Sequence, residues 1–131
     1  MSKSKNFIFD AENNWEQINE GMRRQILGYD DQMMLVKIDF LKGGVGAVHA
    51  HIHRQCSYVV SGVFEFDIDG VKKVVKTGDG LYIEPNVPHG VVCLEAGLLI
   101  DTFSPMRTDF LKYYAIINKK GSHNATLFYL I

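Results

Sequence analysis

The sequence predicts an all-β chain closed into a sandwich or barrel, and three observations support this. From residue 33 to residue 104 the apolar residues come in short runs rich in Val, Ile, Phe and Tyr, several alternating with polar residues as half-buried strands do. Turn-forming residues separate these runs every 8 to 12 residues or so. Asp69-Gly70 lies between two alternating segments, the two-residue signal for a tight hairpin. Consecutive strands are therefore expected to run antiparallel.

In chain order, residues 2–14, "SKSKNFIFDAENN", carry Lys3 and Lys5 but no apolar run long enough for a signal peptide, so a cytoplasmic chain is expected. Residues 12–27, "ENNWEQINEGMRRQIL", contain helix-compatible residues around a central Gly21 without a 3.6-residue stripe. They are read as an arm with a helical turn or as an outer strand. "MMLVKIDFL" (33–41) alternates as a strand and "KGGVGA" (42–47) supplies turn glycines. Residues 57–75 break at Ser61-Gly62 and Asp69-Gly70, and residues 76–104 break at Gly78–Gly80, Glu84–Pro88 and Glu95–Gly97. In the tail, Thr108 is a candidate N-cap, with Phe110, Leu111, Tyr114 and Ile117 spaced for a short helix. His123 sits among turn residues, and "ATLFYLI" (125–131) reads as an apolar last strand that needs cover. The whole, 1–131, is expected to be one domain, with a site-bearing core at about 33–107, an arm at about 1–32 and an extension at about 108–131.

Composition narrows the function. The 131 residues are 47% apolar and 22% charged, with a net charge of −1 and interspersed signs. That balance suits a globular domain and offers no electrostatic footprint for nucleic acid. No stretch approaches the roughly 20 apolar residues of a membrane span. A small-molecule partner is expected. Cys56 and Cys93 lack CxxC spacing and lie in β-rich runs, so they are read as reduced packing residues.

The chemistry concentrates in "AVHAHIHRQCSYVVSG" (47–62), where three of the five histidines alternate and Gln55 takes the next step. On a continuous strand, His49, His51, His53 and Gln55 face one way and Ala50 and Ile52 the other. Imidazoles two residues apart are rooted about 6 to 7 Å from each other and can reach one ion at about 2.1 Å. Gln55 can add a carbonyl oxygen, and a further ligand must come from another strand. His89, in "PNVPHG" (85–90), is held in a fixed direction by Pro85 and Pro88.

These residues resemble two known motifs. "HAHIHRQCSYVVSG" resembles the first cupin motif, His-x-His-x3-Glu/Gln followed by a hairpin glycine, and "GDGLYIEPNVPHGV" (78–91), which runs Gly78-x6-Pro85-x2-Pro88-His89, resembles the second. The resemblance implies a double-stranded β-helix, or jelly-roll barrel, and usually a homodimer; the short C-terminal helix and terminal strand read from the tail would be added to it. It implies one divalent transition metal, Zn, Ni, Mn, Fe or Co, held by His49, His51, Gln55 and His89. Many cupins carry glutamate where Gln55 stands. Three imidazoles and an amide leave the ion its full charge, which makes it a stronger Lewis acid.

Residues 15–111 are similar, more narrowly, to the pectin-degradation cupins of the KdgF type, which open 4,5-unsaturated uronates to linear keto acids. In that family an Asp-x-Phe-Ser-Pro-x-Arg segment lines the pocket, and here it places Asp101, Phe103 and Arg107. The resemblance implies a general acid or base at Asp101, a wall for the sugar at Phe103 and a carboxylate clamp at Arg107. The implied partner is a small sugar acid. A ferrous cupin dioxygenase and a non-catalytic sugar- or metal-binding module remain alternatives, because fold does not fix function.

Plainer expectations accompany these. His53 fits the alternation but not the ligand set, which suggests a pocket-rim or exposed residue. Arg23 and Arg24 are expected in salt bridges, and Trp15, Tyr58, Phe64, Phe66 and Tyr82 in the core. Asp101 faces inward in one strand register and outward in the next, since a one-residue slip reverses every side chain.

Overall fold

The computed structural model describes residues 2–111. A 3-10 turn at Asp10–Glu12 precedes ten strands: β1 (Glu16–Asn19), β2 (Met22–Asp30), β3 (Met33–Phe40), β4 (Val45–His49), β5 (Arg54–Val59), β6 (Val63–Ile68), β7 (Val71–Lys76), β8 (Gly80–Ile83), β9 (His89–Glu95) and β10 (Gly97–Ser104). They form a six-stranded sheet, β1-β2-β3-β10-β5-β8, and a four-stranded sheet, β4-β9-β6-β7. Every pairing is antiparallel.

The inner faces of the two sheets enclose one core. Val36, Ile38, Phe40, Val59 and Leu99 from the larger sheet share a cluster with Phe64, Phe66 and Cys93 from the smaller. Phe40 and Phe64 meet edge to face across the layer at 5.1 Å, the geometry that aromatic quadrupoles prefer. The Asp69-Gly70 hairpin forms as expected between β6 and β7. Both turn residues have positive φ, 53° and 83°, which matches the right-handed twist of the flanking strands.

Of the two readings of residues 12–27, the strand is the one realised. β1 and β2 form a hairpin at the edge of the larger sheet, and Gly21 lies at its tip against the β3–β4 turn. A Cβ on Gly21 would lie 2.5 Å from Gly44 Cα, so only glycine allows the two turns to touch. The same contact explains a glycine in the middle of helix-compatible residues.

The histidine run departs from expectation. It is not one strand: β4 ends at His49 in the smaller sheet, and β5 begins at Arg54 in the larger. Residues 50–53 form a corner where the chain changes sheet, which breaks the two-residue alternation on which a shared face depends.

Four packing expectations also fail, those for Tyr58, Tyr82, Trp15 and Cys56, the last of which is exposed. Gln55, Ser57 and Val59 point inward along β5, so Cys56 and Tyr58 point out. Tyr82, opposite Cys56 on β8, also faces out, and both tyrosines are about half exposed. Trp15 is partly exposed and lies beneath Arg23, whose guanidinium carbon is 4.2 Å from the ring centre. Phe64, Phe66 and Cys93 are buried as expected.

Asp101 pairs with Val36 of β3 and Ser57 of β5, and this register turns it inward. The chain becomes helical at Thr108 and remains so to Leu111, where the described residues end. Tyr114, Ile117, His123 and the expected strand at 125–131 lie outside them. Among the described residues no helix is long and apolar enough to cross a membrane.

Candidate metal centre

The sheet change that breaks the alternation brings the histidines together from three places. His49 closes β4, and His89 opens β9 directly opposite it in the ladder. His51 reaches in from the corner. One ring nitrogen from each of the three lies within 4.8 Å of the other two. Ring centres are 4.5 Å apart for His49 and His89, 4.8 Å for His51 and His89, and 5.3 Å for His49 and His51.

Each ring is oriented by the backbone. His49 Nδ1 lies 2.9 Å from the Ala47 carbonyl, His51 Nδ1 3.0 Å from that of His53, and His89 Nδ1 2.9 Å from that of Val87. A carbonyl only accepts, so these contacts place the ring proton on Nδ1 and leave the Nε2 lone pairs for the centre, the arrangement that backbone carbonyls behind the ring impose on metal-binding histidines.

Two further observations fit a cation. His89 Nε2 is buried with no hydrogen-bond partner. His51 Nε2 lies 3.2 Å from Gln55 Oε1, so with the proton on Nδ1 two lone pairs face each other. An ion bound to both would resolve that contact, and the separation suits ligands at about 2.1 Å from one ion. Burial lowers the pKa of His49, His51 and His89 below the usual histidine range. For His51, burial and then the Arg107 charge bring it down to about 4. The three rings are thus neutral at neutral pH, the form that ligates.

A polar chain runs on from Gln55. Its Nε2 donates to Ser57 Oγ at 3.1 Å, and Ser57 Oγ donates to Asp101 Oδ1 at 2.6 Å, all among buried residues. Burial pushes the Asp101 carboxyl up to about 6, although the Ser57 hydrogen bond and the Arg107 charge both work against it.

Arg107 is buried and already engaged. Its Nε and Nη2 grip the Asp109 carboxylate at 3.0 and 2.8 Å, and its guanidinium carbon lies 4.1 Å from the Phe110 ring centre and 5.1 Å from that of Phe103. Burial alone would raise the Asp109 carboxyl, but the hydrogen bonds and charge of Arg107 bring it below the usual range. Phe103 is 2% exposed and packs edge-on against His51 at 5.8 Å, so it buttresses the cluster as well as lining the pocket. His53, partly exposed, stands beside His51 with ring centres 5.3 Å apart and is not part of the three-histidine group.

A cleft bounded by His49, Gln55, His89, Asp101, Phe103 and Arg107 is also lined by Arg24 and Phe110, with Ile18, Ile38, Phe66 and Leu99 among its apolar walls. Both arginines read as salt-bridge residues form one. Arg23 pairs with Asp39 at 2.8 Å near the surface, and Arg24 pairs with Glu16 at 3.3 Å with both partners buried. Arg24 also lies 3.7 Å above Phe110. Sequence reasoning overlooked Ser57, Glu16 and Phe110 at this site. Only Ser57 had a local signal, two residues beyond Gln55 on the same face. Arg24 and Phe110 come from the two ends of the described chain, and only tertiary packing brings them to the cleft, with Glu16 buried behind Arg24.

Comparison with known proteins agrees with this geometry. The cupin domain family matches residues 36–100. The pectin degradation protein KdgF of Dickeya dadantii (strain 3937) is 47% identical over 107 residues, covering 80% of this chain and 97% of that protein. The crystal structure of an RmlC-like cupin from Shewanella frigidimarina NCIMB 400 superposes with a TM-score of 0.81 at 50% identity, covering 84% of this chain and 99% of that one. The structure of KdgF from Halomonas sp. superposes with a TM-score of 0.77 at 36% identity, covering 82% and 99%. The chain belongs to the cupin family, within its KdgF group.

Proposed function

We propose that this protein is a metal-dependent pectin-degradation enzyme that opens the ring of 4,5-unsaturated uronates to the linear keto acid. The observation that carries this reading is the three-histidine cluster joined through Gln55 and Ser57 to the buried carboxyl of Asp101. His49, His51, His89 and the Gln55 carbonyl oxygen would hold the ion. When bound, it supplies a Lewis acid that polarises substrate oxygens, without cancellation of its charge by a carboxylate ligand.

The reaction is an isomerisation. The anomeric hydroxyl loses a proton, the ring carbon–oxygen bond breaks to leave an aldehyde and an enol, and the enol's proton is replaced by one at the neighbouring carbon to give the ketone. No atom is gained or lost overall. Asp101 is suited to accept and return a proton, because its carboxyl, raised to about 6, is neither a strong acid nor locked in one state near neutrality. Arg107 spends Nε and Nη2 on Asp109, which leaves the Nη1 hydrogens to meet the uronate carboxylate. Phe103 keeps His51 in place through its edge-on ring contact.

The test is loss of the unsaturated-uronate absorbance when metal-loaded protein meets the monosaccharides released by a pectate or alginate lyase, against a His51→Ala control. A rate well above the control is expected. No acceleration with Zn, Ni, Co, Mn or Fe would remove the uronate assignment.

A further inference from the structure

Gln55 offers a metal an oxygen only if its amide is turned the right way, and its oxygen and nitrogen ends are nearly identical in shape. We propose that Ser57 is the positioning residue that fixes this choice, and that it does so because Asp101 takes up its only proton. This inference rests on the metal-centre part of the functional reading and is independent of the substrate.

The hydrogen-bond directions force the assignment once Asp101 is ionised. A serine hydroxyl has one hydrogen to give, and a carboxylate can only accept. The 2.6 Å contact from Ser57 Oγ to Asp101 Oδ1 uses that hydrogen. Toward Gln55 the hydroxyl is then left with lone pairs, so the amide end 3.1 Å away must be the NH2. The carbonyl end is thereby turned to His51 Nε2 at 3.2 Å, into the histidine cluster. Strand geometry holds all three partners. Ser57 follows Gln55 by two residues on the same inward face of β5, and Asp101 is the cross-strand partner of Ser57 on β10. Without the hydroxyl, the amide nitrogen loses its buried acceptor and nothing opposes the flip. The flipped amide would present hydrogens where a cation must bind.

The experiment is calorimetric titration of zinc into the chelator-stripped full chain. Ser57→Ala is expected to weaken zinc binding about 10- to 100-fold, the usual range when a metal ligand loses the hydrogen-bond partner that orients it. Ser57→Thr, which keeps the hydroxyl, should restore most of the affinity, and Ser57→Ala should add nothing in a Gln55→Ala background, because its effect passes through Gln55. Affinity within twofold of the parent for a folded Ser57→Ala, or losses that multiply in the double variant, would overturn the proposal. A second measurement needs no variant: in the metal-free parent at pH 7.5, nuclear Overhauser contacts should run from the Gln55 side-chain NH2 to the Ser57 β-protons. Contacts from that NH2 to the His51 ring instead would refute the assignment. Neither readout involves substrate, so failure to open uronates leaves this inference intact, and undiminished zinc affinity leaves the ring-opening proposal standing.

Discussion

Replacing Asp101 with Asn in the metal-free chain is expected to stabilise the fold relative to the parent progressively as pH rises from about 4 to about 7. The carboxyl moves from an ordinary value of 3.8 to about 6, chiefly through burial. The folded chain therefore prefers the protonated form. The parent's share of stability from this group is complete below the unfolded pKa and is lost as pH climbs through the folded one. A shift of about two pH units, at about 1.4 kcal/mol per unit, amounts to about 3 kcal/mol between the ends of that window. The residue is fully buried, so solvent screening does not reduce this figure. Asn cannot ionise and escapes the penalty, while its surplus N–H donor adds a constant cost of about 1 to 3 kcal/mol at every pH. Urea denaturation of both proteins at about pH 4, 5, 6 and 7 isolates the effect, because the histidines are common to both and cancel in the difference. A stability difference that stays flat over that range would refute the claim that burial raises this carboxyl.

Two further outcomes follow from the same structure. Protons compete with a metal only below the pKa of the ligands, and burial has lowered all three histidines. Zinc affinity at pH 5.5 should accordingly fall well short of the roughly 1000-fold loss that three ordinary histidines at 6.5 would suffer, a comparison that calorimetry at pH 5.5 and 7.5 makes directly. Glu16→Ala strands the Arg24 guanidinium in the interior and should cost about 3 to 5 kcal/mol in urea denaturation, whereas Glu16→Leu combined with Arg24→Met should return stability to at least that of the parent.

The buried Glu16–Arg24 pair also shows what the cleft asks of the fold. Burial raises the Glu16 carboxyl and lowers the Arg24 guanidinium, each only partly offset by the other's charge. Glu16 Oε1 and Arg24 Nε have no hydrogen-bond partner, so the pair is incompletely satisfied. A chain selected only for stability would do as well with apolar residues there. Arg24 lines the cleft beside Arg107 and Phe110, and Glu16 is its buried partner behind that wall.

Features that depend on neighbours along the chain are legible in the sequence. The two-residue alternation of β3, β5 and β6, the Asp69-Gly70 hairpin and the antiparallel order follow from side-chain direction and turn stereochemistry, which act over a few residues. Resemblance to the two motifs likewise marks His49, His51, Gln55 and His89, because a motif is a pattern of residue types along the chain. Contacts between distant segments settled the rest. Residues 49–55 looked like one strand because alternation carries no record of which sheet a strand joins, and the chain turns a corner there. Tyr58 and Tyr82 looked like core because hydrophobicity does not say which face of a strand is covered, and both lie on the outer face of the larger sheet. The link from Ser57 to Asp101 spans 44 residues and exists only because β5 and β10 pair in one register. Whether Asp101 faced the interior or the solvent could not be read locally, since a shift of one residue in that pairing, invisible in the composition of either strand, reverses it.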